Sequence, residues 1–210
     1  MLRRALALLL VSLAAPLDSL AQTTADNKFL PPCEGDIWWA DSDANRSDFD
    51  FWVGEWQVFD KASGLLVGFD DISEIRGGCA LRQHWRHMND QYSPPGAPWR
   101  MRGGSDTSLA ADGRWHQVWI DNNGGYIHLS GGLDENGVMV LQSDWMEYRD
   151  RAGTGYKVRH RWHWAPQEDG TIHNWGFQQS ELPAQSDWVK YYDIVYRRNV
   201  KGGPSAYYKP

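Results

Sequence analysis

Seven histidines and thirteen tryptophans in 210 residues are where this chain's chemistry would lie. A histidine beside a carboxylate can serve as a general base near neutral pH, where the imidazole titrates. One such pairing stands out: His128 with Asp121 and Tyr126, brought together across a predicted hairpin. It would suit a cofactor-independent lyase, isomerase or cyclase acting on a small aromatic or sugar-like substrate. The competing reading is a histidine simply satisfied by neighbouring hydrogen bonds. His84 and His87, like His160 and His163, are three apart, which on a strand puts them on opposite faces and prevents chelation. His128 and His173 could meet across a lumen, perhaps with Asp121, so a metal stays open as an alternative. So does a haem held by His173, although a polar lumen argues against it. No metal or cofactor is predicted. The chain carries no nucleophile elbow, phosphate loop or dinucleotide fingerprint.

The tryptophans point to binding rather than catalysis. A lumen lined by indoles, with a few amides, imidazoles and a carboxylate, suits a flat or ring-shaped ligand, because rings supply stacking area and polar groups fix orientation. The candidate lining residues are Gln83, Trp85, Gln117, Trp119, Asp121, His128, Trp145, Trp162, His173 and Trp175. The alternative is that the tryptophans merely fill a narrow barrel.

These groups must be positioned by short strands. Runs rich in aromatic and β-branched residues recur at about 51–60, 65–76, 79–87, 105–110, 114–121, 125–133, 138–148, 156–165, 171–180 and 188–198. Between them stand Gly77-Gly78, Asp112-Gly113, Asn123-Gly124, Asn136-Gly137 and Asp169-Gly170, and such pairs between alternating runs are strong hairpin signals. No window has a helical period. The reading is all-β: an antiparallel meander closed into a barrel of about ten strands, which removes the exposed edges. A two-sheet sandwich is the runner-up.

The turns set expected registers. Closing Asn122 on Gly125 places Asp121 opposite Tyr126, Trp119 opposite His128 and Gln117 opposite Ser130, with Val118, Ile120, Ile127 and Leu129 on the other face. The Asn136-Gly137 turn carries the first face onto Ser143, Trp145 and Glu147. Across Asp169-Gly170, the inner face reads His160, Trp162, Trp164, His173, Trp175 and Phe177. Lys157, Arg159, Arg161 and Asn174 then face solvent. Hydrophobicity alone would turn the aliphatic face of the Trp119 hairpin inward, but the aromatic and histidine character of the second hairpin favours the Trp119 face as the lumen wall. The aliphatic stripe then lies outside and wants a partner, which makes a homodimer the expectation.

The ends and the cysteines suggest export. Arg3 and Arg4 precede an apolar run from Ala5 to Leu17, and Ser19-Leu20-Ala21 offers a signal-peptidase site, so residues 1–21 read as a signal peptide. The run is shorter than the roughly 20 residues of a bilayer span, and no later stretch would cross a membrane. A periplasmic or secreted protein follows. Residues 22–48, with Pro31-Pro32, read as an extended leader, 49–200 as the barrel and 201–210 as a tail. Asn45-Arg46-Ser47 fits a glycosylation sequon. Cys33 and Cys79 read as one disulfide closing a loop of about 45 residues, worth on the order of 4 kcal/mol in the chain-entropy account, with a reactive thiol as the alternative. The net charge of −6 is mixed and has no basic block, which argues against nucleic acid as partner.

The segment Phe49-Asp50-Phe51-Trp52-Val53-Gly54-Glu55-Trp56 resembles the opening strand of a bacterial family of exported proteins of unknown function (the DUF1579 type), which is calycin-like, akin to lipocalins and fatty-acid-binding proteins. Gly78-Cys79-Ala80-Leu81, Trp115-His116-Gln117-Val118-Trp119-Ile120-Asp121 and Tyr196-Arg197-Arg198 extend the resemblance over most of the mature chain. It implies a calycin-like barrel in which an arginine of the last strand, Arg197 or Arg198, packs across Trp56 and closes the floor as a cation–π contact. It also marks a departure. An acidic residue and Asn precede the third-strand tryptophan in the family, whereas Gln83-His84 precede Trp85 here. The functional expectation is an exported barrel binding a small, partly aromatic or polar ligand, with the His128/Asp121 enzyme as the alternative.

Overall fold

The computed structural model describes residues 46–199 apart from 77, 91, 92, 94, 95, 150–152 and 183–185. The expected signal segment, the leader up to residue 45, the tail and Cys33 lie outside the described residues, and with Cys33 lies one half of the expected bridge to Cys79.

A short 3-10 helix, Arg46–Trp52, leads into eleven antiparallel strands: β1 Gly54–Asp60, β2 Leu66–Ile75, β3 Ala80–His87, β4 Arg102–Leu109, β5 Trp115–Asp121, β6 Tyr126–Leu133, β7 Met139–Ser143, β8 Met146–Arg149, β9 Gly155–Pro166, β10 Ile172–Ser180 and β11 Val189–Arg198. Each pairs with its chain neighbour except around β7 and β8, which both lie along β9. β7 and β8 are therefore one strand broken at Asp144-Trp145, and the predicted run 138–148 covers both. β11 pairs with β1, so the ring closes through ten strand positions. The all-β meander barrel read from the sequence is the fold.

Phe49 and Trp52 were expected at the start of the first strand, but both lie in the 3-10 helix. In a strand, residues three apart face opposite ways. At three residues per turn they share a side, and both side chains enter the barrel end, fully buried. There Phe49 stacks on Trp52 at 4.9 Å and meets Trp115 at 5.7 Å and Trp164 at 5.2 Å edge-on. This aromatic plug is the floor.

Trp56 sits beside it and donates its indole N–H to Trp52 O at 2.8 Å. Arg198, and not Arg197, lies over Trp56, with its guanidinium carbon 3.9 Å from the ring centre and Nη1 donating to Val53 O at 2.6 Å. Arg197 is one residue on, hence on the other face, and stacks on Phe59 at 4.6 Å. Gly54 has φ +143°, and any Cβ there would fall on the Arg198 guanidinium, which gives Gly54-x-Trp56 its physical reason.

Four of the hairpin loops differ from expectation in the same way. Residues 111–113, 122–124, 135–137 and 168–170 are three-residue loops. In each, the glycine N–H bonds back to the residue before the loop, and that residue's N–H bonds across to the residue after it. Gly113, Gly124, Gly137 and Gly170 have φ between +73° and +88°. This is a type I turn followed by a glycine bulge rather than a two-residue turn. One extra loop residue slips the register by one and turns one strand of each hairpin over.

As a result Trp119 faces Ile127, Val118 faces His128 and Gln117 faces Leu129. Ile127 and Leu129 are buried inside with Trp119, and His128 points out. The aliphatic stripe proposed as a dimer surface does not form, since only Val118 and Ile120 of its four members remain outside. The β9–β10 hairpin slips likewise. Trp164 pairs with Asn174 and His163 with Trp175, so Ile172 and Asn174 face inward while His173, Trp175 and Phe177 face out. Arg159, Arg161 and Lys157 lie on the outer face as expected.

Candidate functional site

Above the floor the barrel keeps a cavity of about 190 Å³. Its walls explain why so many aromatic residues do not fill it. Trp85 lies against Gly68, Trp119 against Gly103 and Tyr192 against Gly176, each on a neighbouring strand. At all three glycines a Cβ would collide with the ring. Lacking side chains, these positions let the rings fold flat onto the wall. A bulge between Gly176 and Phe177 leaves one more residue on β11 than on β10, and Tyr191 and Tyr192 both reach the cavity. Trp162 closes the ring of aromatics and donates its N–H to Tyr191 Oη.

A hydrogen-bonded chain runs through the wall behind these rings. Tyr196 Oη donates to Asp70 Oδ2 at 2.9 Å, and Gln83 Nε2 donates to the same oxygen at 2.7 Å. Ser105 Oγ then donates to Gln83 Oε1 at 2.9 Å, and Gln117 Nε2 to Ser105 Oγ at 3.0 Å. Asp70 has no exposed surface. Burial pushes its pKa up to about 8, against the opposing hydrogen bonds from Gln83 and Tyr196, so at neutral pH it is mostly a neutral acid. Burial also lowers His160 to about 4 and depresses His87, so both lining imidazoles are neutral. Trp85 Nε1 and His160 Nδ1 have no partner among the described atoms.

Five of the residues expected to line the lumen do so: Gln83, Trp85, Trp119, Asp121 and Trp162. Gln117 is buried next to them within the polar chain. The other four lie outside, and each has a different use. His128 Nε2 is 3.0 Å from His116 Nδ1, whose Nε2 meets Asp112 at 3.0 Å on the outer face. His173 Nε2 lies 2.6 Å from Asp193 Oδ1, and its ring stacks on Trp175 at 4.3 Å. Trp175 also stacks on His163 at 4.8 Å. Trp145 is covered by Arg159 at 4.7 Å, and Arg159 and Arg161 both sit over Trp188. Part of the tryptophan excess is thus an exterior layer of rings stacked with arginine and histidine.

The proposed base pair does not assemble. Asp121 Oδ2 accepts the Trp119 indole N–H at 2.8 Å, and Oδ1 accepts the backbone N–H groups of Asn123 and Gly125. That carboxylate holds its own turn and fixes an indole, while His128, Tyr126 and the lumen are separated by the wall. His128 and His173 cannot meet across the lumen, and His173 is not placed to hold a haem inside it. Among the described residues no group of three metal-ligating side chains converges, and no helix is long and apolar enough to cross a membrane. Sequence reasoning missed Asp70, Tyr191, Tyr192 and Tyr196, because two adjacent aspartates and a tyrosine-rich last strand read equally well as surface.

A comparison with models of known protein families gives no match, and a comparison with curated proteins gives none either.

Proposed function

We propose that this chain is an exported, calycin-like binding protein that carries one small, ring-sized ligand in its aromatic lumen. The observation behind this reading is the set of rings laid over glycines. Side chains that could have filled the barrel instead line a space of about 190 Å³. An apolar cavity of about 150 Å³ accepts a benzene ring, so this one suits a single ring with a short substituent and is too small for a long acyl chain. Kinship with the exported calycin-like family is part of the proposal, supported by the Gly54-x-Trp56 and Arg198 closure. So is the Cys33–Cys79 bridge.

The test is a titration of the full chain with one-ring compounds followed by tryptophan fluorescence, with palmitate as the oversize control. Saturable quenching by ring compounds, lost in Trp119→Ala and absent for palmitate, is the expected result. No saturable change with any ring compound, or tighter binding of palmitate, overturns the proposal.

A further inference from the structure

The cavity offers aromatic faces and hydrogen-bond acceptors, and it lacks positive charge. Trp85, Trp119, Trp162, Tyr191 and Tyr192 present rings, whose faces carry the negative end of the quadrupole and attract cations, indole most strongly. Asn174 spends its amide N–H groups on His163 O and Tyr192 Oη, which leaves its carbonyl oxygen to accept. No lysine or arginine is among the lining residues. The lining histidines His87 and His160 are kept neutral by burial. An anionic guest would find no counter-charge here, and a neutral one would find stacking and hydrogen bonds but no use for the ring faces' attraction for charge.

From this we propose that the ligand is a small organic cation, a ring-sized amine whose ammonium group lies among the aromatic faces on the Gln83–Tyr196 side, with Asp70 behind those two residues as its counter-charge. The inference rests on the lumen being a ligand site and names the chemistry of its guest.

Asp70 is suited to that role. Gln83 and Tyr196 hold Oδ2, while Oδ1 has no partner among the described atoms. The titratable groups that act on it most strongly are Tyr196 from β11 and Asp71 from its own strand, neither of them a cation. Empty, the buried carboxyl keeps its proton at neutral pH. With an ammonium in the cavity the carboxylate form is stabilised, and the proton leaves. Protein–COOH with R–NH₃⁺ entering the cavity gives protein–COO⁻ behind the Gln83–Tyr196 wall, R–NH₃⁺ in the cavity and one H⁺ to solvent, so up to one proton is released per amine bound.

Calorimetry tests this on the full chain with three probes of one size: 2-phenylethylamine, 2-phenylethanol and phenylacetate. Titrations at pH 7 in two buffers of different ionisation heat give both affinity and proton release. The amine should bind at least tenfold more tightly than the alcohol, with phenylacetate weakest and a proton released toward one per site. Asp70→Asn, whose amide mimics the protonated carboxyl, should lose the preference for amine over alcohol and release no proton. Equal or tighter binding of the alcohol or phenylacetate, or amine binding without proton release by the wild-type chain, overturns the cation proposal and leaves the ligand site standing. If none of the three probes binds, the ligand-site reading falls and the proposal with it.

Discussion

Trp119 folds back across the barrel wall onto Gly103, and the two positions have room for one side chain between them. The indole is held there by its hydrogen bond to Asp121 at 2.8 Å. Gly103→Ala should therefore drive the ring into the lumen, as overpacking does, at a cost of about 1–3 kcal/mol. Denaturant unfolding would report the stability loss, and ring-ligand affinity should fall with it. A variant as stable and as tight as the wild type would show that the ring does not need the bare wall.

Asp70 makes stability depend on pH in an unusual direction. Its folded pKa, about 8, stands above the ordinary carboxyl value of 3.8. The folded state thus holds the extra proton between those values, and this contribution is complete below about pH 4 and lost as pH rises to 8. His160, lowered to about 4, works the opposite way and loses stability as pH falls below 6.5. The two oppose each other from 4 to 6.5, which leaves Asp70 dominant above that. Unfolding free energy should fall between pH 6.5 and 8 with a slope approaching 1.4 kcal/mol per pH unit, and Asp70→Asn should flatten it. A wild-type profile level across that range would contradict a buried neutral acid.

His128 lies on the outside, so His128→Ala should leave ring-ligand affinity within about twofold and stability within roughly 0.5 kcal/mol, as surface changes do. Trp119→Ala should weaken the same ligand at least tenfold, or about 1.4 kcal/mol. If His128→Ala abolished binding instead, the observed register of β6 would be wrong.

The two adjacent arginines of β11 should separate cleanly. Arg198→Ala removes a cation–π contact and a donor to Val53 O, an expected loss of about 1–3 kcal/mol. Arg197→Ala uncovers only Phe59 and should cost well under that. Thermal unfolding of both variants compares them directly.

The strand runs and turn positions were legible because alternating aromatic residues and Asp-Gly or Asn-Gly pairs follow directly from backbone chemistry. The faces were harder to read, because such a pair does not say how many residues the loop contains. A two-residue loop of this kind needs positive φ at both central positions, and here only the glycines adopt it. Burial could have decided the register: the three-residue loop takes Ile127, Leu129 and Ile172 inside, and the two-residue loop leaves them in water. Asp70 had no such signal. An aspartate in a strand reads as solvent-facing until its partners Gln83 and Tyr196 are brought to it from other strands.

The pairing of β1 with β11 also has a kinetic meaning. Arg198 and Val53 are 145 residues apart in the chain, whereas nearly every other strand pair joins chain neighbours. Contacts of such separation are the slowest to form because the loop entropy is lost before they contribute. The meander should therefore assemble hairpin by hairpin and shut at this seam last. Arg198→Ala would then speed unfolding while leaving the folding rate almost untouched. The arginine over Trp56 acts as a latch that lengthens the lifetime of the closed barrel.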